Sequence, residues 1–143
     1  MSELKLITQF LKDMSFESPN VPQLFFSKEQ SPAKMSINLD IQIKGAENNL
    51  YMVDLITKVH STLEKDEKSI FRIDIVYSGL VSAKFDKEED LQKALLIDIP
   101  RQIFPAVRGL VLEITGNSGF PPFAMTPVDF EEMYKNNKGK SKK

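Results

Sequence analysis

The side chains of this sequence that could do covalent or acid–base chemistry are few and poorly spaced for it. His60 is the single histidine, and there is no cysteine among the 143 residues. A metal site would therefore fall to carboxylates alone, and a strand histidine is read instead as solvent-facing or hydrogen-bonded. Lack of cysteine also removes disulfides and thiol nucleophiles, and fits a reducing compartment. The glycines are scattered and build no phosphate loop, and no serine sits in a G-x-S-x-G elbow. Carboxylates are plentiful, but Glu64, Asp66 and Glu67, like Asp86 and Glu88 to Asp90, fall in turns and helix starts. These residue types point to binding rather than catalysis, with no cofactor.

The elements that would position a binding surface are read from periodicity. Met35, Ile37, Leu39, Ile41 and Ile43 alternate strictly with polar residues, which makes a strand with one apolar and one wet face. Leu50 to Leu63 and Ser69 to Val81 read as two further strands at hairpin spacing, joined by turns at Gly45 to Asn49 and Glu64 to Lys68. Both carry apolar residues on both faces, a surplus that suggests self-association or an apolar partner. At the amino end, Leu4, Ile7, Leu11 and Met14 fit a helix, whereas Leu4, Leu6, Phe10, Met14 and Phe16 fit a strand face. Between Pro19 and Pro32 runs a loop, Val21 to Ser31, whose Leu24, Phe25 and Phe26 either tuck into a core or line a groove.

After Val81 the pattern turns helical. A short stretch, Leu91 to Ile97, follows an acidic start, and Asp98 reads as the N-cap of a longer helix. Its stripe of Ile103, Val107, Leu110, Val111 and Ile114 runs down to Gly116, and Pro105 should kink it or mark its true start. Gly119-Phe120-Pro121-Pro122 is a rigid connector, and a last helix is expected from Thr126 and Pro127. Strands followed by helices indicate an α+β fold, with the helices over one face of an antiparallel sheet.

The length fits one domain, assigned to residues 1–134. Five of the 19 basic side chains fall in the last nine residues, so residues 135–143 read as a disordered basic tail on an acidic body. An acidic body argues against nucleic acid as a partner. There is no long apolar run for membrane insertion and no basic signal-like start, so a cytoplasmic location is expected.

With these residues laid out, the chain resembles the SecB family of bacterial protein-export chaperones from about Leu4 to Tyr134. The resemblance rests on Lys12-Asp13-Met14-Ser15-Phe16-Glu17-Ser18-Pro19-Asn20, then Ile103-Phe104-Pro105-Ala106-Val107-Arg108, Gly119-Phe120-Pro121-Pro122 and Pro127-Val128-Asp129-Phe130, in family order. It implies a four-stranded antiparallel sheet with one long and one short helix on one face, Leu4 to Phe16 being the first strand. It also implies a homotetramer, a dimer of dimers, that binds unfolded secretory precursors in hydrophobic grooves without ATP and passes them to the SecA motor.

Carried onto this sequence, the groove would take Leu24, Phe25 and Phe26 from the loop, Leu39 and Ile41 from the clean strand, and Phe130 and Tyr134 from the last helix. The SecA-binding patch would take Asp13, Glu17 and Asp74. Arg72 stands where the family has an apolar residue, and a cation there should weaken attraction to a basic partner. Ile73, Ile75 and Tyr77 match the family's protomer-pairing surface. Val107, Leu110, Val111 and Ile114 either join dimers or cover the sheet. Two alternatives remain: a SecB-like chaperone serving a toxin–antitoxin pair, and a sheet-and-helix domain that binds a small ligand in a closed pocket.

Overall fold

The computed structural model describes residues 2–26, 32–45 and 47–141, with side chains to residue 136. Strands β1 (Glu3–Glu17), β2 (Ala33–Gly45), β3 (Leu50–Leu63) and β4 (Ser69–Lys84) form one antiparallel sheet in the order β1-β4-β3-β2. β2, β3 and β4 follow as hairpins, as the turn spacing predicts. β1 lies at the opposite edge from β2, so the chain crosses one end of the sheet between them. The short helix α1 (Gln23–Phe26) opens that crossover; the rest of the expected Val21-to-Ser31 loop, residues 27–31, lies outside the described residues.

In the sheet, cross-strand partners share a face, and burial separates the two faces. Val53, Leu55, Val59, Ile73, Ile75 and Val81 are each at most 1 % exposed, and all point to the side that carries the helices. The other side, the open face, shows Lys58, Arg72, Asp74 and their neighbours. β1 resolves its ambiguity as a strand, with two departures from period 2. Register shifts fall between Leu6 and Thr8 and between Leu11 and Asp13. Leu4, Leu6, Met14 and Phe16 face the helices as the alternation predicts. Phe10, expected with them, pairs with Ser78 and faces the open side.

The helical half differs from expectation in where its helices begin. α2 (Glu88–Lys93), a π-helical turn (Ala94–Asp98) and α3 (Ile99–Asn117) make one continuous helix. Asp98, expected as an N-cap, is itself helical at φ −68, ψ −45. Pro100 lacks an N–H, and its ring presses on the carbonyl four residues back. The wider π turn, in which Ile99 N–H donates to the Ala94 carbonyl, carries the helix past it. Pro105 does not end the helix either. It and Arg101 face solvent, where water can hydrate the carbonyl left without a donor.

α3 lies close on the sheet. A Cβ on Gly79 would stand 2.9 Å from Leu6 Cδ1 and 3.6 Å from Ile99 Cγ2, so the absent side chain sets how near the helix can come. The last helix, α4 (Phe130–Ser141), begins later than the expected Thr126. Asp129 is its cap, its Oδ1 accepting from Glu132 N–H at 3.0 Å, which satisfies a free donor of the first turn. The helical backbone continues to Ser141 and takes in most of the expected tail. Lys142 and Lys143 lie outside the described residues.

Candidate functional site

The crossover is tied down before it reaches α1. Ser18 Oγ donates to the Ile70 carbonyl at 2.7 Å, and Asn20 Nδ2 donates to the Ser69 carbonyl at 2.8 Å. Both residues belong to the Lys12–Asn20 motif, and these bonds give it a physical purpose: they fix where α1 leaves the sheet. Within α1, Leu24 is half-buried, Phe25 is 50 % exposed and Phe26 is 79 % exposed.

Phe25 heads a column of aromatic rings. Its centroid lies 5.5 Å from Phe120, Phe120 lies 5.3 Å from Phe71, and Phe71 lies 5.9 Å from Phe16. Offset and tilted rings at these spacings attract beyond their buried area. Gly119, at φ +87, stands under the Phe25 ring, where a Cβ would come within 3.0 Å of Cζ. Hydrogen bonds from Ser118 N–H and Phe120 N–H to the Thr115 carbonyl, and from Phe123 N–H to Thr115 Oγ1, hold this connector on the end of α3. Sequence alone shows only the rigidity of Gly119 to Pro122. A glycine before an aromatic and two prolines was the available signal that a ring would sit there.

The same end of the sheet carries uncovered apolar surface. Phe71, Ser61 and Met35 form one cross-strand row, and Ile73, Val59 and Ile37 the next. Two strand spacings, roughly 10 Å, separate the aromatic column from Met35. Met35 and Ile37 are 38 % and 37 % exposed, while Leu39 and Ile41 farther along β2 are half-buried. Phe25 and Phe26 beside the aromatic column and Met35 and Ile37 on β2 are thus the exposed apolar rim residues at this end of the sheet, with Leu24, Leu39 and Ile41 half-buried. Phe130 and Tyr134, expected in the groove, are buried in the core of the single chain. They are only 2 % and 8 % exposed, and the Phe130 ring packs edge-on against Phe104 at 5.8 Å.

On the open face the structure brings Asp13, Glu17, Arg72 and Asp74 together. Glu17 lies opposite Arg72, Ser15 opposite Asp74, and Asp13 opposite Val76. The surface is not uniformly acidic, since Lys58 lies opposite Asp74 and His60 opposite Arg72 on β3. His60 Nε2 lies 3.1 Å from Ser69 Oγ. Beneath this surface is a polar group that sequence reasoning missed. Asp54, whose side chain is 4 % exposed, accepts from Ser78 Oγ at 2.5 Å and lies 3.4 Å from Lys12 Nζ.

The residues expected at protomer contacts divide. Ile73, Ile75, Val107 and Val111 are 0–1 % exposed within the single chain, so their side chains are spent on its own core and offer a second copy no surface. Tyr77, Leu110 and Ile114 are half-buried, and Tyr77 OH accepts from Gln9 Nε2 at 3.1 Å. Outside the rim, the large apolar side chains that reach solvent among the described residues are Ile7, Phe10 and Leu11 on edge strand β1 and Leu112 on α3, at 38–45 % exposure. Among the described residues no helix is long and apolar enough to cross a membrane, and no three His, Cys, Asp or Glu side chains stand close enough to hold a metal.

Comparison with known proteins places this geometry in a family. Residues 1–141 match the family model described as preprotein translocase subunit SecB. The Protein-export protein SecB of Caulobacter vibrioides is 34 % identical over 131 residues, covering 92 % of this chain and 78 % of the relative. That of Anaplasma marginale is 35 % identical over 148 residues, covering 96 % and 83 %. Among solved structures, a Mycobacterium tuberculosis SecB-like chaperone in complex with an antitoxin peptide superposes with a TM-score of 0.72 at 12 % identity. It covers 87 % of this chain and 90 % of its own, a likeness of fold.

Proposed function

The chain belongs to the SecB family, and from that premise we propose that it is an ATP-independent export chaperone that holds precursors unfolded and delivers them to SecA. The observation that carries the reading is the open apolar rim of Phe25, Phe26, Met35 and Ile37. An unfolded precursor presents apolar side chains in no fixed order, and a rim of exposed rings and a flexible Met accepts many of them. Each large side chain buried is worth roughly 1.5–3 kcal/mol before ordering is subtracted. Several rims on one tetramer then raise the effective concentration for one long chain. Such binding asks for no bond-making residue, so the protein is read as a non-enzyme, working in the cytoplasm where precursors are made.

Assembly would use the β1 edge, where Ile7, Phe10 and Leu11 flank unpaired backbone, together with Leu110, Leu112 and Ile114 of α3. SecA would dock on the open face through Asp13, Glu17 and Asp74. A second reading, a chaperone dedicated to an antitoxin, is favoured by one observation: Arg72 and Lys58 interleave with those acids and dilute their field.

Light scattering of the protein alone and with a reduced, unfolded secretory precursor tests the proposal. A particle near four times 16.3 kDa that takes up precursor and blocks its aggregation is expected. A monomer indifferent to unfolded chains would refute it. Binding of precursor without measurable SecA affinity would favour the antitoxin reading.

A further inference from the structure

We propose that Lys12 and Asp54 are positioning residues that lock β1 in its doubly bulged register, and so set the spacing of the acidic docking residues on the open face. The inference rests on the docking reading above only for its consequence; the lock itself stands on the strand pairing.

The register is not the one the apolar pattern would choose alone. Glu3 pairs with Lys84 and Glu17 with Arg72, so β1 runs two residues longer than β4 over the same span. The bulges invert only the segment between them: Thr8 and Phe10 face out, while Leu6 before it and Met14 after it face the helices. Had both bulges been absent, β1 would alternate without interruption, with Leu4, Leu6, Phe10, Met14 and Phe16 all inward. Losing one bulge alone would turn Met14 and Phe16 to water, because a shift of one residue exchanges the faces. The two bulges therefore stand or fall together.

Lys12 decides between the two registers. In the bulged one it lies at the second bulge, on the open side, with its ammonium 3.4 Å from the buried Asp54 carboxylate. In the bulge-free one, continued from Glu3 opposite Lys84, it would point inward opposite Ile75. That would draw the ammonium over the half-buried apolar site that Met14 now fills and leave Asp54 with only the Ser78 hydroxyl, and both are costly. The bulge-free register would also set Asp13 opposite Asp74, a like-charge pair that destabilises a ladder. Asp13 and Glu17 face the open side in either register, but their spacing against Arg72 and Asp74 is the observed one because Lys12 reaches across β4 to β3.

The test uses the full chain with labelled Met and Ile methyl groups. In the present register the Met14 methyl lies opposite Ile75; in the bulge-free register it lies opposite Ile73. Lys12→Met removes the lock and the cost of pointing inward, while Asp54→Asn removes the lock and keeps an acceptor for Ser78. Lys12 is half-exposed on an edge strand, so its variants fold. Wild type and Lys12→Arg should show the Met14–Ile75 cross-peak as the stronger. Lys12→Met should invert the order in favour of Met14–Ile73, Asp54→Asn should shift it the same way, and SecA affinity should fall as far as in Asp13→Asn combined with Glu17→Gln. Retention of the wild-type cross-peak order in Lys12→Met overturns the lock, whatever happens to SecA. A changed register with SecA affinity intact, in a protein whose Asp13 and Glu17 also prove dispensable, upholds the lock and overturns the docking reading instead.

Discussion

β2 and β4 teach opposite lessons about the same sheet. β2 has the cleanest alternation in the sequence and is among the least covered elements, with Met35 and Ile37 more than a third exposed. β4 mixes Arg72 and Asp74 with Val76 and Leu80 on its open side, yet its helix-side Ile73 and Ile75 are sealed under α3. Alternation states which face of a strand is apolar. It does not state whether anything covers that face, because coverage depends on where the helices land. α3 contacts β1, β3 and β4, and the rim at β2 and α1 is left over. A closed centre is what a stable fold needs, and an uncovered rim is what a binder of unfolded chains needs.

The closed centre should respond most strongly to substitution. Ile73→Ala removes a fully buried side chain from beneath α3, and should cost about 2–5 kcal/mol of stability, read from urea unfolding. Next in size is the rim. Phe26→Ala combined with Ile37→Ser should cost about 1–2 kcal/mol, less than Ile73→Ala, since Phe26 is largely in water and Ile37 is more than a third exposed. The same variant should weaken binding of an unfolded precursor by roughly tenfold or more in calorimetry, following the worth of large apolar side chains. If the double variant instead unfolds the chain and spares precursor binding, centre and rim have been assigned the wrong way round.

Gly119→Ala acts between the two regions. Its positive φ and the Phe25 ring at 3.0 Å leave a methyl group both strained and crowded. A stability loss of about 1 kcal/mol is expected. Phe25 should also become more mobile, which relaxation of a selectively labelled Phe25 would detect.

Much of this arrangement was legible in the residues, and the failures have physical causes. The three hairpin strands followed from alternation and turn chemistry, and the motif resemblance settled β1 as a strand. The flip of Phe10 was not legible, because a bulge is dictated by partners on other strands, here Asp54 and Ser78, which lie more than 40 residues away. Asp98 looked like a helix cap because Asp and Pro two residues apart usually begin a helix; a π turn instead let the helix run on past Pro100. Phe130 and Tyr134 looked like groove residues because aromatics on a last helix suit a groove. In three dimensions Phe104 meets the Phe130 ring and closes the site. Exposure at the rim belongs to packing between distant elements, which one strand's pattern does not encode.

A smaller change is expected at the centre of the sheet. Thr57 lies on the helix side of β3, between Leu39 on β2 and Ile75 on β4. It is fully buried, and its hydroxyl has no hydrogen-bond partner among the described residues. A buried hydroxyl without a partner has lost its water and gained nothing in exchange, at a cost of about 1–3 kcal/mol. Thr57→Val exchanges that hydroxyl for a methyl group of nearly the same shape, keeping the β-branch that suits a strand. Part of the gain is given back in repacking, so a rise of about 1 kcal/mol is expected, seen as a higher urea midpoint at unchanged slope. The substitution lies at the closed centre, so precursor affinity should not move. If stability falls, the hydroxyl has a partner in the assembled protein, and the centre of this sheet is less self-contained than the single chain shows.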